Sequence, residues 1–324
     1  MISVVIAMYN GEKYIEAQLR SVLLQTVSAD EVLIFDDGST DLSVEIINRF
    51  IENNNCDGWR LLVNEQNKGY CKNFLDGVKS ATGDIIFLAD QDDVWYPEKI
   101  EKMSQLLLSE DDIKAVVCSC DTIDGDGNVI DAPLNIGVLF SGNDGSVEDF
   151  PRERFIGRSF IRGCSVAFKR ELCGLIPSME LKGLLSHDWL ITFAAALSGR
   201  CVLLNNRLMG YRCHDRNTSF GERATGEKAL KMRLDGVNFS IDGHSYFYEN
   251  GDSFAFLDGK LNVGLEKQIE FEKKRVSYLE NGGFVNFLKC FFALKSYRCY
   301  YGNLKGAVKV FLGDLYYRKN RKKQ

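Results

Sequence analysis

The sequence predicts an α/β protein, with a mostly parallel sheet flanked by helices and a C-terminal helical extension. Three observations lead there. Short β-branched or apolar runs alternate with helical patterns through the first 120 residues, and such alternation builds a parallel sheet with helices on both faces. Two of these runs end in paired carboxylates, at the sheet edge where ligands of such folds bind. Beyond about residue 225 the chain is again helix-prone, and its last forty residues are strongly basic.

The strand-like runs fall at residues 3–7, 31–35, 59–63, 84–89 and 114–118. Between the first two, Tyr14, Ile15, Leu19, Val22 and Leu23 recur at three- and four-residue spacing, as a helix with one buried face requires. A second helix is expected after Ser39-Thr40-Asp41, whose side chains can cap its free N–H groups. A later one follows Trp95-Tyr96, with Pro97 as its first residue and Glu98 beside it. Asp124-Gly125-Asp126-Gly127-Asn128 reads as a turn, and residues 141–145 as a loop. Order returns with a strand at 164–168, a helix after Ser186-His187-Asp188, and a hairpin-like pair at 201–205 and 208–213.

Composition narrows the class. The 324 residues are 45% hydrophobic and 26% charged, enough for one large core and a smaller appended region. The formal charge is −5, with no basic face in the first 280 residues, so nucleic acid is not an expected partner. Ten cysteines are scattered without a CxxC pair or a Cys/His cluster of zinc spacing. Cys118 and Cys164 sit in apolar runs, where a reduced thiol acts as a small hydrophobe, and a reducing compartment fits. No charged leader with a cleavage site precedes the first strand, and no apolar run reaches the ~18 residues of a spanning helix. Neither a signal peptide nor a membrane span is expected.

Leu88-Ala89-Asp90-Gln91-Asp92-Asp93 carries the most chemistry. Three carboxylates leaving one apolar strand repel each other unless a cation neutralises them, and a hard divalent ion with oxygen ligands is the natural partner. A solvated acidic turn is the alternative. Phe35-Asp36-Asp37-Gly38-Ser39-Thr40-Asp41 also ends a strand. A carboxylate there can accept the imide N–H of uracil or thymine, whereas a turn with a helix cap explains only Ser39 and Asp41. After the first strand, Ala7-Met8-Tyr9-Asn10-Gly11 offers backbone amides and an aromatic face to a base.

Together with Asn67-Lys68-Gly69, these strings resemble, in order and spacing, the family 2 glycosyltransferases of GT-A fold over roughly residues 1–220. The resemblance implies that Ala7, Tyr9 and Asp37 face the nucleoside, that Asp90 and Gln91 approach ribose and sugar, and that Asp92 holds a Mn2+ or Mg2+ ion at the diphosphate. It implies a catalytic domain over 1–222, with a nucleotide-sugar half at 1–120 and an acceptor half at 121–222, and a helical region at 223–324. Asp188 matches the family's catalytic base, which takes the proton of the acceptor hydroxyl. His187 stands where Glu is usual, and with Trp189 lies on the acceptor side; a plain helix cap is the other reading of Asp188. Arg212 in Tyr211-Arg212-Cys213-His214 is a candidate phosphate partner and His214 a metal or phosphate contact, followed by Arg216-Asn217-Thr218-Ser219; structural roles are the alternative.

The tail has its own pattern. Phe284, Phe287, Leu288, Phe291 and Leu294 follow helical spacing, as do Leu304, Val308, Phe311, Leu312 and Leu315. Lys289, Lys295, Arg298, Lys305 and Lys309 flank them, Arg318, Lys319, Arg321, Lys322 and Lys323 end the chain, and Asp314 is the only acid among them. An aromatic face edged by Lys and Arg suits an anionic bilayer; a helix packed on the catalytic domain is the alternative. The expectation is therefore a cytoplasmic, metal-dependent, inverting transferase, peripheral on the inner membrane face. It would move sugar from a UDP- or dTDP-sugar to a saccharide or lipid-linked acceptor in O-antigen- or capsule-type synthesis. Asp90-Gln91-Asp92-Asp93-Val94-Trp95 resembles bacterial rhamnosyltransferases and tilts the donor towards dTDP-rhamnose. The rivals are a sugar-1-phosphate nucleotidyltransferase, which would want a basic glycine-rich loop in place of Tyr9-Asn10-Gly11-Glu12, and a non-catalytic nucleotide-sugar-binding protein.

Overall fold

The computed structural model describes residues 1–131, 143–152, 161–176, 187–214, 226–255, 257–293 and 304–319. Ser186, residues 216–219, Leu294, Lys295, Arg298 and residues 321–323 lie outside these, as do the side chains of Leu304, Lys305 and Lys309. The chain divides into two compact units. Met1–Phe150, Phe160–Ile176 and Ala194–Phe220 make the first; Pro151–Ser159, Pro177–Phe193 and Gly221–Gln324 make the second.

The first unit is built on one mixed sheet of nine strands: β1 (Ile2–Met8), β2 (Glu31–Asp36), β3 (Trp59–Val63), β4 (Ile85–Asp90), β5 (Val94–Trp95), β6 (Ile113–Ile123), β7 (Val147–Asp149), β8 (Val166–Lys169) and β9 (Arg200–Arg212). Their order is β3-β2-β1-β4-β8-β6-β9-β5, with β7 on β9. The first four strands are parallel, and β8 runs antiparallel to both neighbours. Strands covered on both faces need continuous apolar runs, and in β1 and β2 nearly every residue is buried. The intervening helices are α1 (Ile15–Leu23), α2 (Ser43–Asn54), α3 (Tyr70–Ser80) and α4 (Lys99–Ser109). On α1 the buried stripe is Ile15, Leu19 and Val22, at the helical spacing read from the sequence, while Leu23 is exposed.

Three local expectations change. Of the expected cap cluster only Asp41 reaches α2, which starts at Ser43 after Leu42. Asp41 accepts from the N–H groups of Glu12 and Ser43, and Ser39 donates to Asp36, because the neighbouring loop competes for them. Helix α4 begins at Lys99, two residues after Pro97, with Glu98 at its N-cap. No hairpin forms at 201–213. Both halves pair with β6 in one parallel direction, and the register slips from Cys118 opposite Leu204 to Ser119 opposite Arg207. The polar pair Asn205-Asn206 is a bulge, not a reversal. Asn205 Nδ2 donates to Glu148 Oε1 (2.9 Å) and Asn206 Nδ2 to Asp144 Oδ1 (3.1 Å).

Helix α5 (His187–Ser198) enters the second unit with its first turns. There it joins α6 (Gly226–Glu249), α7 (Gly259–Asn281), α8 (Phe284–Phe292) and α9 (Leu304–Lys319). Asp258 caps α7 by accepting from Leu261 N–H at 2.8 Å, the bond an N-cap carboxylate makes. The tail's single acid, Asp314, is not a surface residue. Its Oδ1 accepts from Arg233 Nε (2.8 Å) and Arg275 Nη2 (3.0 Å), and its Oδ2 from Arg275 Nε (2.8 Å), joining α6, α7 and α9. Burial alone would push this carboxyl's pKa up; the two guanidiniums outweigh it and hold it below the ordinary aspartate value.

Removing one member of a buried ionic cluster leaves uncompensated charge inside. Asp314→Asn should therefore lower unfolding free energy by about 3–5 kcal/mol, measured by chemical denaturation. A midpoint unchanged from wild type would show that the cluster is not what joins these helices.

Candidate active site

Sheet register brings the sequence strings to one edge. Ala7 stands opposite Asp90 and Met8 opposite Asp36, so the segments after β1, β2 and β4 leave the sheet at the same level. The ladder continues past the strand ends: Asp37 N–H donates to Met8 O and Asn64 N–H to Asp36 O, each at 2.8 Å. Gln91 extends it further with its side chain. Tyr9 N–H donates to Gln91 Oε1 (2.7 Å) and Gln91 Nε2 to Tyr9 O (3.1 Å), so the amide copies a peptide group between β1 and β4. A Cβ on Gly11 would come 2.7 Å from that Oε1, which explains glycine there. Gln91, expected at ribose and sugar, thus holds the turn that presents Tyr9. The Tyr9 side chain is exposed and Ala7 is buried beneath it.

Asp37 is buried and holds a loop. Its Oδ1 accepts from Lys68 N–H (2.8 Å) and Asn64 Nδ2 (3.1 Å), and its Oδ2 from Gly69 N–H (2.8 Å). Asn73 supports the loop from α3, accepting from Asn64 Nδ2 (2.8 Å) while donating to Phe35 O (2.6 Å). Three of a carboxylate's roughly four acceptor sites are filled, which leaves one on Oδ2. Asn67-Lys68-Gly69 was legible as a motif; Asn64 and Asn73, which complete the network, stood in no string.

The acidic string separates into two environments. Asp92 meets the end of β9, where its Oδ2 lies 2.8 Å from His214 Nε2. The Tyr14 ring packs on that imidazole with centroids 4.9 Å apart, a contact no motif signalled. Asp93 points the other way and is fully buried, accepting from Arg212 N–H at 3.0 Å. Burial first, then Asp92 and Asp90, drives its carboxyl pKa well up, towards the neutral form. Burial does the same to the Cys164 thiol. Asp90, Asp93 and Cys164 bring ligand atoms within 4.8 Å of one another, but a thiol suits a hard cation poorly. Asp92 and His214 instead bring a carboxylate oxygen and an imidazole nitrogen within 2.8 Å of each other, donor types that suit a divalent cation.

Arg212, expected at a diphosphate, is buried. Its Nε donates to Asp92 O (2.7 Å) and its Nη1 to the carbonyls of Asp124 and Gly125 (both 3.0 Å). These bonds brace the Asp92 segment against the 124–128 turn. In the second unit Asp188 is nearly buried, and its Oδ1 accepts from Trp189 N–H at 2.6 Å. Trp189, expected to face an acceptor, is a core residue instead, packed on Phe193, His244 and Phe247. A Cβ on Gly243 would lie 2.5 Å from its Cζ3, so α6 carries glycine at that contact. His244 Nδ1 lies 3.0 Å from Glu272 Oε2, both fully buried. His187 is also enclosed, and burial lowers its pKa from 6.5 to about 3.

His187 gives a test. Between about pH 6.5 and 3 the unfolded chain binds a proton that the native imidazole refuses, so stability present above that window is lost as pH falls. The loss reaches about 2 kcal/mol near pH 5. His187→Gln should flatten the fall in Tm between neutral and mildly acid buffer; equal falls for both proteins would contradict a buried neutral imidazole.

Comparisons with known proteins bear on the family and the fold. The model of the family described as glycosyl transferase family 2 matches residues 3–174. An uncharacterised glycosyltransferase of Nostoc sp. is 30% identical over 234 residues, 72% of this chain and 71% of its own. The Bacillus subtilis glycosyltransferase EpsH is 27% identical over 66% of this chain and 61% of its own. Among solved structures, Staphylococcus aureus TarS 1–349 in complex with UDP-GlcNAc has a TM-score of 0.61 at 15% identity, covering 99% of this chain and 90% of that one. The mannosyltransferase PcManGT of Pyrobaculum calidifontis, in complex with GDP-Man and Mn2+, has a TM-score of 0.55 at 18% identity, covering 97% and 79%. At these identities the structural likeness shows the fold, which is of GT-A type.

Proposed function

The chain belongs to glycosyltransferase family 2, and from that premise we propose an inverting, metal-dependent transfer of a hexosyl or rhamnosyl group from a UDP- or dTDP-sugar. The acceptor is a saccharide or lipid-linked saccharide of a surface polysaccharide, met on the cytoplasmic face of a membrane. The pairing of Asp92 with His214 at 2.8 Å, at the carboxyl edge of the sheet, carries the reading. Nucleotide-sugars in two structural neighbours, and Mn2+ in one, support the donor class and the ion.

Each residue's part follows from its chemistry. The exposed Tyr9 ring offers a face to the base, and the open acceptor site on Asp37 Oδ2 takes the imide N–H of uracil or thymine; cytosine has no such N–H. Asp92 and His214 would hold the cation, which when bound would neutralise charge gathering on the departing diphosphate, with Asp90 towards the ribose and sugar. Gln91 and Arg212 position Tyr9 and Asp92 through main-chain atoms. Asp188 accepts the proton of the acceptor hydroxyl as that oxygen attacks the anomeric carbon.

Asp92→Asn should abolish Mn2+-stimulated transfer at unchanged Tm, read by release of nucleoside diphosphate. Full turnover by this variant in chelator-treated buffer would remove Asp92 from the metal site. Asp188→Asn keeps shape but cannot take the proton, so kcat should fall on the order of 10²–10⁴-fold with donor Kd unchanged. Lost donor binding with normal turnover would make Asp188 structural. A thermal-shift series of nucleoside diphosphate sugars, with and without Mn2+, identifies the base and sugar.

A further inference from the structure

The last helices present a surface that transfer chemistry does not use. Gly282 and Gly283, with φ of 66° and 84°, turn the chain from α7 into α8; consecutive positive φ values are open to glycine and strained for other residues. In α8, Phe287 and Cys290 face inward, packed with Phe271, Tyr278 and Phe311. Phe284, Val285 and Phe292 turn the other way, with Phe284 73% and Phe292 79% exposed, and Phe291 lies at the edge, partly exposed while its ring also meets Phe311. Their spacing of one, seven and eight residues puts them on one face of a helix. Exposed Lys289 borders that face, four residues after Val285 and three before Phe292. Arg318 lies against the turn that precedes Phe284, since a Cβ on Gly282 would come 2.8 Å from its Nε.

Charge decides what such a face fits. From Gly283 onward the chain has ten Lys or Arg residues and one acid. That acid, Asp314, is locked inside between Arg233 and Arg275. Among the described residues no carboxylate side chain of this segment is therefore offered to a partner, while Lys289 and Lys319 are exposed. Phenylalanine enters the headgroup boundary of a bilayer while lysine and arginine meet lipid phosphates. No described helix is long and apolar enough to cross a membrane, so the contact is along the surface.

We propose that α8 lies in the headgroup layer of an anionic phospholipid bilayer, inserted through Phe284, Val285, Phe291 and Phe292. This deepens the lipid-linked-acceptor reading and rests on it for its purpose, although the binding itself needs no substrate. The test is flotation of the full chain, without donor or acceptor, on vesicles of phosphatidylglycerol with phosphatidylcholine, and of phosphatidylcholine alone. The protein should float with the anionic vesicles at low salt and detach as salt rises. The Phe284→Ser/Phe292→Ser double variant should lose at least roughly 10-fold in partitioning, with Tm and UDP binding unchanged. Equal flotation of variant and wild type, or wild type at the bottom of both gradients, overturns the proposal. So does a wild-type dimer in sedimentation velocity that the double variant splits, since the face would then meet a second copy. Transfer to a water-soluble saccharide tests the catalytic reading separately.

Discussion

Parallel pairing of β1 between β2 and β4 is the constraint on which the site depends. With Met8 opposite Asp36 and Ala7 opposite Asp90, three separate loops must begin at one level. A slip of one residue on any of these strands would turn its acidic end to the other face of the sheet. The side chain of Gln91 and the carboxylate of Asp37 carry this alignment beyond the strands, by binding peptide groups of neighbouring loops. Motif residues therefore serve first to hold one another. Of these groups the Tyr9 ring is exposed, while Asp37 stays buried.

Burial sorts the carboxylates by role. Asp93 is driven neutral in the core and braces the end of β9 through Arg212 N–H. Asp92, its neighbour in sequence, meets an imidazole instead. Two adjacent acids thus meet different surroundings, one a buried main-chain N–H and the other an imidazole. The second unit uses the opposite solution. Asp314 stays ionised in the core because two guanidiniums surround it, and Glu272 is held among Ser240, Gln268 and His244.

The fold was largely legible because its signals are local. Apolar runs ending in acids, and the three- and four-residue spacing of Ile15, Leu19 and Val22, need no distant information. The errors fell where side chains had remote competitors. Ser39 fits a cap by type, yet Asp36 binds it first, while Asp41 shares itself between Glu12 and the first N–H of α2. Asn205-Asn206 has turn chemistry, but pairing with β6 on both sides leaves room only for a bulge.

By itself the sequence determined the α/β order, the acidic strand ends, the family likeness and the basic tail, because each depends on residue type and spacing along the chain. Tertiary structure alone decided direction and environment. It turned Arg212 onto main-chain carbonyls and Trp189 into a helical core, and it buried His187 until its imidazole lost the power to charge. It also withdrew the tail's one acid from the surface. Linear spacing shows which groups a helix or strand carries. Whether a group meets water, a carbonyl or a counter-charge depends on elements distant in the sequence, and that encounter sets its charge and its use.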